Sequence, residues 1–148
     1  YGSKQSVHRW RMNTESSRAI TDITSGKAWE KTAPYSQGKA VNAGRFVFLS
    51  GQVSLGPDGN VLGNGNMEEQ TRVVFSNIEA LLSAAGCSLT DTVKLTYFVT
   101  DMSKWESVHR VRGEYFPDYH PASTTVEVTQ LHKPEYLIEI EAVAVVHS

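Results

Sequence analysis

Apolar and polar positions along this chain follow two different periods, and the switches between them outline its elements. Arg45 is followed by Phe46-Val47-Phe48-Leu49-Ser50-Gly51-Gln52-Val53, an aromatic and β-branched run with turn residues at both ends, which predicts a largely buried strand. Gly56-Pro57-Asp58-Gly59-Asn60 comes next; proline presets one dihedral and glycine accepts positive φ, so a turn falls here. After Asn66, residues Met67, Thr71, Val74, Ile78, Leu81, Leu82 and Ala85 recur at helical spacing, with Gly86 as the stop. That is an amphipathic helix with one buried face.

The period then changes to two. Val93, Leu95, Tyr97 and Val99 alternate with Lys94, Thr96, Phe98 and Thr100, the pattern of a strand. Ser103 and Glu106 have the spacing of a capping box for a second helix, whose Trp105, Val108, Arg112, Tyr115 and Phe116 line one side before Pro117 ends it. Two more strands are expected over residues 123–130 and 136–147, joined by a turn through Lys133-Pro134. In the last strand Tyr136, Ile138, Ile140, Ala142 and Ala144 share one face; Leu137, Glu139, Glu141, Val143 and Val145 share the other. The order predicts an α/β sandwich with two helices on one sheet face, leaving the opposite face in need of cover. Self-association would supply it.

Composition narrows the function. A chain of 148 residues is the size of one domain and can bury its own core. The polar, Ser/Thr-rich residues 1–26 read as an N-terminal extension, with Gly2-Ser3 typical of a cloning remnant, and residues 27–148 as the domain. A net charge of −2 gives no general attraction to nucleic acid, and the basic cluster His8, Arg9 and Arg11 reads as solvated surface. Cys87 is the only cysteine, which excludes an internal disulfide and suits a reducing, cytoplasmic compartment. No apolar run has the length of a membrane span and no secretory signal pattern opens the chain.

Several chemistries drop out on spacing. His8, His109, His120, His132 and His147 are scattered without helical pairing, which excludes a metal enzyme of familiar spacing. Gly63-Asn64-Gly65-Asn66 lacks the lysine of a phosphate loop, and Ser50 is not flanked as in a nucleophile elbow. Glu139 and Glu141 remain. A carboxylate on a mostly apolar face loses hydration and can exchange a proton near neutral pH, while the pattern alone favours an exposed or cross-strand-paired pair at a sheet edge.

Five segments in order then carry a resemblance. They are Ala33-Pro34-Tyr35-Ser36-Gln37-Gly38; Phe48-Leu49-Ser50-Gly51-Gln52-Val53; Asn77-Ile78-Glu79-Ala80-Leu81-Leu82 with Ala84-Ala85-Gly86; Val93 to Met102; and Ile138-Glu139-Ile140-Glu141-Ala142. Together, over residues 31–146, they resemble the reactive-intermediate-deaminase (Rid, or YjgF/L-PSP-like) family. The resemblance implies a chorismate-mutase-like fold and a homotrimer whose sheets build a central barrel, with small-molecule clefts between subunits; no cofactor is required, and spacing, charge and hydropathy leave no metal, nucleic-acid or membrane partner expected. It implies substrate contacts from Tyr35, Ser50 and Gly51, and a water-positioning role for Glu139.

The departures shift the expected substrate. Deaminating relatives carry Pro-Ala-Arg where this chain has Pro121-Ala122-Ser123; Thr125 replaces a frequent cysteine, and His109 a cleft asparagine. A serine lacks the charge and bidentate fork that hold a carboxylate. The expectation is hydrolytic deamination of a small imine or enamine, or a related hydrolysis, on something other than a standard 2-iminoacid. A metabolite-binding or regulatory trimer is the alternative, and RNA cleavage ranks third.

Overall fold

The computed structural model describes residues 20–146. Gly2-Ser3, the basic cluster around Arg9 and His147 lie outside them. Strands β1 (Ile20–Ile23) and β2 (Gly38–Val41) form an antiparallel pair. The main sheet holds β3 (Arg45–Gln52), β4 (Thr92–Val99), β5 (Ala122–Glu127) and β6 (Ile138–Val146), in the order β3-β6-β4-β5. Helices α1 (Met67–Ala84) and α2 (Trp105–Tyr115) complete an α+β fold. The end of the expected N-terminal extension is thus a strand, with Ile20 opposite Val41 and Ile23 opposite Gly38.

Alternation in β4 and β6 sets the core. Leu95, Tyr97 and Val99 meet Ile138, Ile140 and Ala142 on one sheet face, and Val74, Phe75, Ile78 and Leu82 of α1 pack there with Val108, Val111 and Phe116. Phe75 is the hub of the aromatic packing, edge-on to Tyr97 and Phe116 and stacked on Tyr115. Gln70, fully buried on α1, donates Nε2 to the Glu135 carbonyl at 2.7 Å and accepts from the Leu137 amide at 2.8 Å. One side chain therefore satisfies both backbone groups at the entrance to β6.

Local signals behave as the physics requires at α1, where the Asn66 side chain accepts from the Glu69 amide at 3.1 Å. The capping box expected at Ser103 and Glu106 does not form. Asp101 instead accepts from the Ser103 amide and hydroxyl, at 3.0 and 2.6 Å, and a 3₁₀ turn over Met102–Lys104 leads into α2. A carboxylate two residues earlier takes the Ser103 amide that Glu106 would have reached, and it takes the Ser103 hydroxyl as well.

The first strand of the main sheet is also less buried than its apolar run suggests. Phe46 and Phe48 of β3 are 53% and 74% exposed and stack on each other at 6.2 Å between centroids. Both helices cover the opposite face, so these rings have no cover among the described residues.

Candidate functional site

A cavity of about 270 Å³ opens between α2 and β5. On α2, Trp105, His109 and Arg112 are spaced i, i+4 and i+7, so one helical face presents all three to it. On β5, Ser123 and Thr125 are two apart and point the same way. Parallel pairing sets Ser123 opposite Leu95 and Thr125 opposite Tyr97, which turns both hydroxyls toward the helix side. Pro34 and Tyr35 close the rim, their loop held to β5 by the Ser36 amide donating to the Pro121 carbonyl at 3.3 Å.

The electrostatics of this cavity rest on Arg112. Its residue is 3% exposed, and Nη2 is fully buried without a hydrogen-bond partner among the described residues. Burial pulls the guanidinium below its ordinary value, opposed by the phenols of Tyr97 and Tyr35. Tyr97 is itself fully buried with an unpaired hydroxyl; burial pushes its phenol well above the usual range, with the Arg112 charge opposing. The Ser123 hydroxyl donates a long bond, 3.3 Å, to the Pro121 carbonyl, and it joins the Arg112 charge in opposing the upward push on the Tyr97 phenol.

Tyr35 also borders a second cavity of about 310 Å³, shared with Asp22, Lys39, Tyr119 and His120. The cation there is already matched: Lys39 Nζ stands 2.6 Å from Asp22 and 4.1 Å over the Tyr119 ring. It ties β1 and β2 to the segment after α2.

Glu139 lies elsewhere. On β6 it is opposite Phe98, and Glu141 is opposite Thr96, on the sheet face away from the helices. The pairing of β3 with β6 breaks register between Leu49 and Gln52, which makes a bulge at Ser50-Gly51. The Glu139 carboxylate lies directly over Gly51, where a Cβ would stand 2.7 Å from Cδ. Glu139 is half-buried, whereas Ser50 and Glu141 are exposed.

The predicted residues thus fall into two groups. Tyr35, His109, Ser123 and Thr125 meet at one cavity; Ser50, Gly51 and Glu139 meet on the other face. Arg112 belongs to the first group and was legible only as part of a helical stripe. A charged residue on a buried stripe was its signal, because such a group stays inside only with a partner or a task. Among the described residues no three His, Cys, Asp or Glu side chains converge to hold a metal, and no helix is long and apolar enough to cross a membrane.

A mixed four-stranded sheet with two helices on one face, a polar cavity beside its edge strand and a glutamate over a glycine bulge define a small α+β domain. Residues 25–146 match the family model described as Endoribonuclease L-PSP. The chain belongs to this family, the YjgF/Rid family. A RutC family protein of Pyrococcus horikoshii is 44% identical over 111 residues, covering 75% of this chain and 86% of its own. The human 2-iminobutanoate/2-iminopropanoate deaminase is 35% identical over 123 residues, covering 83% and 88%. Among solved structures, TdcF of E. coli with bound serine is 34% identical at a TM-score of 0.65, covering 78% of this chain and 90% of its own.

Proposed function

We propose that the protein is a homotrimeric hydrolase that deaminates a small reactive imine or enamine, with Glu139 orienting the attacking water. The observation that carries this reading is the Glu139 carboxylate lying over Gly51 at the β3 bulge, a carboxylate held on bare backbone beside exposed strand. Relatives named as 2-iminobutanoate/2-iminopropanoate deaminases support the reaction class. Positioned proton transfer of this kind contributes about 10²- to 10⁴-fold, enough for a labile C=N bond.

Geometry also supports a site between subunits. Within one chain the cavity beside Arg112 and the carboxylate of Glu139 face opposite sides of the same sheet. A single site using both has to combine the cavity of one copy with the Glu139 of another. The exposed Phe46 and Phe48 supply the area for such packing. A cytoplasmic setting fits the single, partly buried thiol of Cys87.

The binding-only alternative has one observation in its favour: no carboxylate lines the Arg112 cavity. RNA cleavage, which the family description names, is weakened by the net charge of −2. Ammonia release from imines generated in situ tests the proposal, with Glu139→Gln against Glu141→Gln. Turnover should fall at least a hundredfold in the first and little in the second, with melting temperature and assembly kept in both. Full activity in Glu139→Gln would move the assignment to binding without turnover.

A further inference from the structure

We infer that Arg112, reaching into the cavity from α2, is the anchor for the carboxylate of the small molecule this protein takes, so that an anionic ligand is recognised even though position 123 is a serine. The inference deepens the functional reading above by naming a ligand class for the same site.

The argument begins with an unmatched charge. A guanidinium carries five N–H donors and stays protonated, so removing it from water without an acceptor is strongly unfavourable. Arg112 is 3% exposed, yet among the described residues no carboxylate pairs with it. Its electrostatic neighbours are two phenols, Tyr97 and Tyr35. The free nitrogen, Nη2, belongs to a side chain that lines the 270 Å³ cavity. Buried donors without partners are rare in folded proteins and mark sites completed by something else.

The surroundings select the complement. Tyr35, His109, Ser123 and Thr125 bring groups able to donate a hydrogen bond, and the lining contains no Asp or Glu to compete with an anion. The Tyr97 hydroxyl, also buried and unpaired, senses the Arg112 charge. Cation, hydroxyl donors and the Trp105 ring fit a small carboxylate with a short apolar portion.

The anchor sits on the helix and not on the strand, which makes it chemically distinct. A side chain at position 123 would approach from the sheet edge, whereas Arg112 approaches from the helix side and is pinned by α2 packing, with Val108 and Val111 fully buried beside it. The uncharged Ser123 then becomes a requirement. A second cation there would repel Arg112 within the same cavity.

Titration calorimetry with butanoate and the equal-sized neutral butanamide tests the inference, in a buffer free of other carboxylates. The assembled wild-type protein should bind butanoate at least tenfold more tightly than butanamide. Arg112→Met, which replaces the charge by an apolar side chain of similar length, should erase that preference. Arg112→Lys should keep it in weakened form, since a point charge replaces a fork. Butanoate has no C=N bond, so the result does not depend on turnover, and Glu141→Gln, outside the cavity, should bind it as wild type does. Equal wild-type affinity for the two ligands would overturn the inference, and that arm needs no variant to fold. A preference for butanoate undiminished in a folded Arg112→Met would overturn it too.

Discussion

Glu139 occupies the space that a side chain at position 51 would need. A Cβ built on Gly51 would stand 2.7 Å from Glu139 Cδ and 2.9 Å from Cγ. The φ of Gly51 is not among the positive values in the chain, so glycine is required here for close approach and not for backbone conformation. Gly51→Ala should therefore displace the carboxylate while leaving the strand intact. If turnover exists, it should fall by at least tenfold with a melting temperature within a few degrees of wild type. An active Gly51→Ala with unchanged kinetics would show that the position of Glu139 is unimportant.

Gln70 is the second position where one side chain controls backbone placement. Gln70→Leu keeps the volume and removes both hydrogen bonds to residues 135 and 137. Two part-buried backbone groups lose partners, each worth up to about 1–3 kcal/mol where water does not replace the bond. A loss of roughly 2–5 kcal/mol in urea unfolding is expected, with the slope unchanged. Stability equal to wild type would mean that water replaces the glutamine.

Phe48 is the most exposed of the large apolar side chains that the structure describes, at 74%. Covering one phenylalanine is worth about 1.5–3 kcal/mol per subunit, so Phe48→Asp should break self-association without disturbing the fold. Sedimentation velocity at micromolar concentration would then show smaller species with wild-type circular dichroism. An unchanged assembly would place the subunit interface elsewhere.

Ser123→Arg introduces a second guanidinium beside Arg112. Two like charges about 5 Å apart repel by about 3 kcal/mol at an effective dielectric of 20. The single variant should melt several degrees lower, and Arg112→Met/Ser123→Arg should recover stability together with the preference for butanoate. A double-mutant cycle measures this coupling. Strict additivity would show that the two positions do not share the cavity.

Alkaline stability follows from the buried phenols. Burial, followed by the negative charges of Asp22 and Asp91, pushes Tyr119 up to about 12, and burial pushes Tyr97 higher still. Both are neutral in the fold, with folded values above the unfolded one of about 10. Their contribution is therefore complete below about pH 10 and is lost as pH rises through the folded values. Of the six tyrosines in the chain, these two should ionise only as the protein unfolds, read at 295 nm. Tyr119→Phe removes a hydrogen bond to the Thr92 carbonyl, costing about 1 kcal/mol at pH 7, and should flatten the decline between about pH 10 and 12. An equally steep decline in the variant would discount Tyr119.

Much of the fold was legible because it depends on neighbours in sequence. The buried stripe of α1 and the alternation that puts Glu139 and Glu141 on one face of β6 follow from local periodicity, and the structure reproduces them. Five short segments in register were enough to reach the family, since each keeps a local shape. Local signals failed where two comparable ones competed: Asp101 took the Ser103 amide that a capping box assigns to Glu106, and the apolar run of β3 did not reveal that one of its faces stays open.

Tertiary structure alone decided the electrostatic content of the cavity. On the helix stripe Arg112 reads as a packing position, and Ser123 reads as the loss of a charge. They meet only because β5 runs parallel to β4, which returns Ser123 and Thr125 beneath the α2 face bearing His109 and Arg112. Parallel pairing depends on a crossover of many residues and leaves no signature in either strand's own pattern. Residues eleven positions apart, on a helix and on a strand, become partners through three-dimensional packing, and only there does an unmatched guanidinium become visible.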